Sequence, residues 1–166
     1  MAPYSNSGNY PQVNIKSGTI EGNVYGGGLG LAAAVTANPR VNLTGGVIGG
    51  DVFGGGYAAP VTGSPIVTAV AGSSGTRLFG GGKGETADIT GNTTVTVSGG
   101  TFTDVFGGGD AADVLTGGTT VTISGGTMSG AVYGGGNEAG VSGNAGITVS
   151  NATILNGVYG GCNVTG

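Results

Sequence analysis

Few side chains in this sequence carry the groups that catalysis usually needs. The 166 residues include no histidine and one cysteine, Cys162, so the common pairs of nucleophile and base cannot be assembled. Neighbouring acids remain, Glu85 with Asp88 and Asp110 with Asp113, and a carboxylate pair is what glycoside hydrolysis requires. Acids this close together in one segment are more typical of a solvated surface. We therefore expect a protein that is not an enzyme.

Two glycine-rich stretches have the outline of a ligand-binding loop. GLGLAA at 28–33 has the spacing of a dinucleotide-binding turn, which must open a helix, but its glycines return where the rest of that pattern is missing. GGGDAADVL at 107–115 looks like a calcium-binding nonapeptide, but its acids do not return every nine residues. A row of calcium ions would need several carboxylates in register. We therefore predict no cofactor and no metal.

The composition favours β-structure. Glycine supplies 42 of the 166 residues, and Val, Thr, Ile and Ser are plentiful while helix-forming residues are scarce. The net charge is −4 with only 7% charged residues, so the chain has no basic patch for nucleic acid. It also has no apolar run near 18 residues, which predicts no membrane span.

One phrase, an aromatic residue followed by glycines, returns through the whole chain at intervals of 26 to 28 residues. A period of this length indicates a solenoid. We predict an N-terminal extension or cap at 1–12 and a repeat domain at 13–166, with coils near 13–40, 41–66, 67–94, 95–120, 121–146 and 147–166. The aromatic residues that define the period are Tyr25, Phe53, Phe79, Phe106, Tyr133 and Tyr159.

Each coil is predicted to contain three short strands with glycine-rich corners. Because each strand cannot bury its apolar face alone, we expect it to pair in parallel with its equivalent one coil along, about 4.8 Å away. The predicted fold is therefore all-β, a parallel β-helix or β-solenoid of about six coils. An antiparallel sandwich is the alternative, although it would not need a constant period.

The second and third strands of each coil also carry recurring residue types, which stacking would place one above another in columns along the solenoid. The second strand carries a large side chain ahead of the aromatic residue, except in coil three, where Ser74 takes that place as a weak point. The third strand carries a small residue and then a branched one, which indicates a narrow corner. We expect the glycines to provide positive φ or close backbone approach, with Cys162 marking the third glycine position as less demanding. The third-strand pairs are Ala33/Val35, Ala59/Val61, Ala87/Ile89, Ala112/Val114 and Ala139/Val141.

The outward face of the first strand is the candidate binding surface. Thr-x-Thr rows in coils four and five resemble the surfaces of ice-binding proteins. The long charged side chains of Lys16 and Arg40 would, however, make this face less flat. Thr is also simply a good exposed strand residue. Ice and a surface glycan are therefore both candidate ligands. The residues of this face are Asn14, Asn42, Thr68, Thr94, Thr96, Thr120, Thr122 and Thr148.

The aromatic column leaves two alternatives open. Val24 and Tyr25 are consecutive, so in a regular strand one points inward and the other outward. The rings form either an internal stack or an external stripe that binds sugars.

The phrases GTIEGNVYGGG, SGGTFTDVFGGG and SGGTMSGAVYGGG resemble the repeats of large bacterial β-solenoid proteins, adhesin-like, that are secreted or attached to the surface. The resemblance covers residues 13–166. It implies an extracellular or cell-surface location, with the signal peptide missing from this sequence, and a non-enzymatic structural or adhesion scaffold. Because no polar cap follows the last repeat, we also expect self-association through open solenoid ends.

Overall fold

The computed structural model describes residues 4, 5 and 8–164 and shows an all-β solenoid of about six turns. Besides strands, the described part contains one short 3-10 turn, Leu31–Ala33. The strands in chain order are β1 Tyr4–Ser5, β2 Gln12–Ile15, β3 Thr19–Ile20, β4 Val24–Tyr25, β5 Val35–Thr36, β6 Arg40–Leu43, β7 Gly46–Ile48, β8 Val52–Phe53, β9 Ile66–Ala69, β10 Ser73–Ser74, β11 Arg77–Phe79, β12 Thr93–Phe102, β13 Asp104–Phe106, β14 Thr119–Met128, β15 Ala131–Tyr133, β16 Ala145–Val149, β17 Thr153–Ile154 and β18 Gly157–Tyr159.

Two parallel sheets run along the solenoid. The larger sheet contains the first and second strands of each coil, which in coils four and five merge into the ten-residue strands β12 and β14. The smaller sheet stacks the strands that end in the aromatic residue, β4, β8, β11, β13, β15 and β18. The predicted third strand is reduced mainly to single-residue parallel bridges, which connect Val35, Val61, Ile89, Val114 and Val141.

The register confirms the alignment on the aromatic residues. Each aromatic residue pairs with the one in the next coil, from Tyr25 with Phe53 to Tyr133 with Tyr159. A displacement of one repeat therefore places like residues over like residues, as a solenoid requires.

Two apolar interiors lie between the strands. The main one contains the alternate residues of the first strand, such as Val95 and Val97, together with the residue before each aromatic, such as Leu78 and Val105. These four side chains are fully buried. The second and smaller interior is built from the branched residues of the third position and contains Val35, Val61, Ile89 and Val114.

The glycine triplets form corners by close approach rather than by positive φ, which none of their residues adopts. A Cβ on Gly81 would lie 2.7 Å from the Gly109 nitrogen in the next coil. A Cβ on Gly82 would lie 2.7 Å from the Ala87 Cβ, which explains the small residue in the third strand. The third glycine is thus as tightly packed as the others in these coils, and the inference drawn from Cys162 is wrong.

The second strand of coil three differs from the sequence-based expectation. Ser74 pairs with Val47 and Thr101, so Gly75, rather than Ser74, lies in the column of Ile48 and Phe102. A Cβ on Gly75 would be 3.3 Å from the Phe102 ring. The larger ring of coil four therefore occupies the space that Gly75 leaves.

Candidate functional site

The predicted surface residues share one face of the first strands, which we call the Thr/Asn face. The register aligns Asn14 with Asn42, Asn42 with Thr68, and the threonine column continues through Thr96 and Thr122 to Thr148. In the first two coils the side chains are linked, because the Asn42 Nδ2 donates to the Asn14 Oδ1 at 2.8 Å.

The second column of the face has threonine in only two coils. Thr94 pairs with Thr120, and the positions on either side are Ile66 and Gly146. Arg40, two coils before Thr94 in this column, lies with its guanidinium carbon 4.2 Å from the centre of the Tyr10 ring.

A hollow of about 470 Å³ opens at this second column in coils four to six, and we call it the Thr/Asn hollow. Gly146, which follows Thr120 in this column, leaves space there, because a Cβ on it would have only the Thr119 carbonyl oxygen within 4 Å, at 3.8 Å. The wall of the hollow is neutral and carries hydroxyl and amide groups. The lining residues are Asn92, Thr94, Gly118, Thr119, Thr120, Asn144 and Gly146.

Some polar groups of the hollow form hydrogen bonds within the protein, and others are exposed to solvent and open to a ligand. Thr119 is buried and its hydroxyl donates to the Gly134 carbonyl, and the Asn92 Oδ1 accepts from the Gly118 N–H at 2.9 Å. Thr120 and Asn144 are exposed. The hollow thus presents both donors and acceptors to solvent.

The aromatic residues form one continuous stack along the solenoid. Ring centroids are 4.6 to 5.1 Å apart, and the planes differ by 3 to 16°. The rings lie on the side of their sheet opposite the main interior, so Leu78 and Phe79 are both fully buried although they are consecutive. The structure therefore supports the internal stack, which forms a buried cluster of its own, separate from the main interior.

Side chains from two flanking columns cover the stack. The Arg77 guanidinium carbon lies 5.1 Å from the centre of the Phe79 ring, and the Lys83 Nζ lies 5.5 Å from that of Phe53. Their charges are balanced, because Arg77 pairs with Asp51 at 2.6 Å and Lys83 with Asp110 at 3.5 Å. The covered rings serve packing, whereas Tyr159 in the last coil is 50% exposed.

The charged environment of the stack shifts two pKa values. The hydrogen bond with Asp51 raises the pKa of Arg77 above its ordinary value, helped by the charges of Asp51, Asp110 and Asp104 and opposed by burial. Burial, together with Asp104 and Tyr159, raises the pKa of the Tyr133 phenol. Both shifts keep the ordinary protonation state at neutral pH.

The acids considered for catalysis form hydrogen bonds between coils. The Asp88 Oδ1 accepts from the Asp113 N–H at 2.9 Å, and the Asp113 Oδ1 accepts from the Gly140 N–H at 2.7 Å. The Asp110 Oδ1 accepts from the Asn137 Nδ2 at 2.7 Å. These bonds assign the three carboxylates a role in stacking the coils.

A second hollow, of about 330 Å³, lies beside these acids and is lined by Glu85, Asp88, Ala111, Asp113 and Glu138. Within the described residues, no group of three or more His, Cys, Asp or Glu side chains is arranged to hold a metal ion. No helix in the described part of the chain has the length and hydropathy to cross a membrane.

Sequence reasoning did not assign five of the residues that line the Thr/Asn hollow to a binding site: Asn92, Gly118, Thr119, Asn144 and Gly146. The signal was the interruption of the Thr94 and Thr120 column by Gly146 one repeat later. Comparisons with protein families, with curated proteins and with solved structures found no match to this chain. The class of protein that the structure defines is a parallel β-solenoid scaffold.

Proposed function

We propose that this solenoid is a non-enzymatic adhesion scaffold, outside a bacterial cell or on its surface, whose Thr/Asn hollow binds a unit of a neutral saccharide. The observation that carries the proposal is the hollow itself, a depression walled by hydroxyl and amide groups on an otherwise regular repeat surface. The extracellular location belongs to the same proposal and is supported by the resemblance of the repeats.

The chemistry of the hollow favours a neutral polyhydroxylated ligand. Its volume of about 470 Å³ is in the ordinary range for small-molecule sites. Sugar hydroxyls both donate and accept hydrogen bonds, and so do the threonine hydroxyls and the asparagine amides. None of the lining residues is charged, so an anionic or cationic sugar would gain no ion pair there.

The absence of catalysis in the proposal is supported by the roles of the carboxylates. Asp88, Asp110 and Asp113 each accept a hydrogen bond from the next coil. Each of these three carboxylates thus has a partner in the next coil and a structural role that requires no reaction.

The experiment is a glycan array followed by titration calorimetry with the saccharides that bind. Thr120→Val and Asn144→Ala should each weaken binding about tenfold, the effect of losing one hydrogen bond of about 1.4 kcal/mol. Thr62→Val, an exposed threonine outside the hollow, is the matched control and should bind normally. Equal binding by all four proteins, or no saccharide bound at all, would reject the proposal, as would cleavage of the bound saccharide.

Ice is the second candidate ligand, and the aligned hydroxyls of Thr68, Thr96, Thr122 and Thr148 favour it. In that case the protein should inhibit ice recrystallisation, and Thr96→Tyr with Thr122→Tyr should abolish the effect. The same samples distinguish the two ligands, because these substitutions lie outside the lining of the hollow.

A further inference from the structure

A row of side-chain hydrogen bonds runs along the corner that comes just before the first strand of each coil, and we call it the corner ladder. The Asn38 Oδ1 accepts from the Ser64 N–H at 2.7 Å, and the Ser64 Oγ accepts from the Asn92 N–H at 3.1 Å. One coil later, the Asn92 Oδ1 accepts from the Gly118 N–H at 2.9 Å. In each step a side-chain oxygen of one coil satisfies a backbone N–H of the next.

The corner ladder stops at Gly118, which has no side-chain oxygen to offer the next coil. The equivalent of Gly118 one coil later is Asn144, because the Thr93 N–H donates to the Gly118 carbonyl just as the Thr119 N–H donates to the Asn144 carbonyl. In the part of the chain that the structure describes, no group accepts a hydrogen bond from the Asn144 N–H. A side chain could not enter without a shift, since a Cβ on Gly118 would overlap the Asn144 carbonyl oxygen.

The Asn144 N–H belongs to the wall of the Thr/Asn hollow. Gly118 and Asn144 both line that hollow, together with Thr94 and Thr120. An acceptor atom of a ligand can bond to this N–H without breaking any hydrogen bond within the protein. The hollow therefore contains a donor whose place is set by the backbone and not by a mobile side chain.

The earlier steps of the corner ladder show which acceptor suits such an N–H. At Asn38 and Asn92 the acceptor is the carbonyl oxygen of a side-chain amide. The acetamido group of an N-acetylated amino sugar is also an amide, with a methyl group where asparagine has its methylene. It is neutral, as the lining of the hollow is, and its N–H can donate to the hydroxyl oxygens of Thr94 and Thr120.

From this match we infer that the saccharide unit bound in the hollow is an N-acetylated amino sugar, whose acetamido carbonyl accepts from the Asn144 N–H and so continues the corner ladder. A plain hexose has no amide carbonyl to place there. A deacetylated amino sugar would bring a cation among uncharged residues. The inference rests on the proposed saccharide binding and narrows its ligand class.

The first experiment compares sugars that differ only in the group at carbon 2. Titration calorimetry is performed with tri-N-acetylchitotriose against cellotriose, and with N-acetylgalactosamine against galactose. In at least one pair the N-acetylated sugar should bind about tenfold more tightly, the usual effect of one added hydrogen bond. Equal or reversed affinities in both pairs, or no binding of either N-acetylated sugar, would overturn the inference. If plain hexoses or other neutral saccharides bind in that case, the proposed function stands without it.

Two substitutions at one position separate the backbone N–H from the side chain. Asn144→Pro removes the N–H, and no hydrogen bond within the protein is lost with it. Asn144→Ala is the matched control, because it removes the side chain and keeps the N–H. The tenfold preference for the N-acetylated sugar should disappear in Asn144→Pro and persist in Asn144→Ala, although both variants bind more weakly. A preference that persists in a folded Asn144→Pro protein would overturn the inference.

Amide hydrogen exchange, measured by NMR, tests the same N–H in the wild-type chain and decides the matter if Asn144→Pro fails to fold. The matched control is the neighbouring Gly143 N–H, which donates to the Gly117 carbonyl at 2.9 Å. The Asn144 amide should exchange at least about tenfold faster than that of Gly143, because a bonded amide exchanges only after local opening. Saturation with the N-acetylated sugar should slow exchange at Asn144 and leave Gly143 unchanged. Equal exchange rates in the free protein, or no slowing at Asn144 on binding, would overturn the inference.

Discussion

At the scale of the residue, the aromatic side chains do more for packing than for recognition. Phe53, Phe79 and Phe106 are held between rings at 4.6 to 5.1 Å and are almost fully buried. Stacked rings contribute about 0.5–1.5 kcal/mol per pair beyond the area that they bury. The position of a ring in the stack, rather than its being Phe or Tyr, therefore decides how much the residue contributes to the stability of the fold.

The centre and the end of the stack should respond differently to truncation. We expect Phe79→Ala to lower the free energy of unfolding by about 3–5 kcal/mol, since a fully buried ring leaves a cavity between two neighbours. Tyr159→Ala is the matched control and should cost about 0.5 kcal/mol, because that ring is half exposed and has one neighbour. Urea titration of a dilute sample measures both, and equal losses would contradict the packing account.

At the scale of the element, the glycine triplets are what allow one coil to lie on the next. Their backbones approach so closely that the Gly81 position has no room for a Cβ, although its φ would suit any residue. Gly100, with φ 95°, shows the other use of glycine, a backbone conformation that side chains disfavour. The corners thus depend on glycine for two different physical reasons.

The first of these reasons predicts that one substitution has opposite outcomes in two coils. Gly81→Ala should cost at least about 2 kcal/mol, because the added methyl group overlaps Gly109 of the next coil. Gly161→Ala should stay within about 0.5 kcal/mol of the wild type, because its Cβ enters open space. Thermal unfolding of the monomer compares the two, and similar midpoints would show that close approach is not what requires glycine.

At the scale of the whole molecule, stability comes from repeated contacts between neighbouring coils. Backbone pairing, the two apolar interiors, the aromatic stack and the side-chain ladders all connect a coil to the next one. In such a molecule the free energy of folding is approximately a sum over coils and their interfaces.

Adding a coil should therefore stabilise the protein. Duplicating residues 95–120 should raise the urea midpoint and increase the m value by roughly a sixth, because m scales with the area exposed on unfolding. Duplicating residues 67–94 is the matched control and should stabilise less, since Gly75 adds no side chain to the interior. A lower midpoint for the first duplication would contradict the additive picture.

The repeat made much of this architecture predictable. The aromatic period specified which residues pair, and strand alternation specified which side chains of the first strand face the interior, as Val95 and Val97 do. Such patterns are local, so they indicate the side of a strand on which a residue lies. They do not indicate what covers that side.

The sequence by itself therefore determined the solenoid, the register of its aromatic residues and the columns of the first strand, because a nearly constant period allows only one way to stack like residues. In the second strand of coil three the period alone did not suffice, since Gly75 and not Ser74 lies in the column of Phe102. Only the tertiary structure decided that Phe79 is buried on the far side of its sheet, since Arg77 reaches its ring from outside the main interior. It likewise decided that residues of three coils, among them Thr94, Thr120 and Gly146, line one hollow. Contacts between coils join residues that are distant in the chain, and no local pattern specifies the space between them.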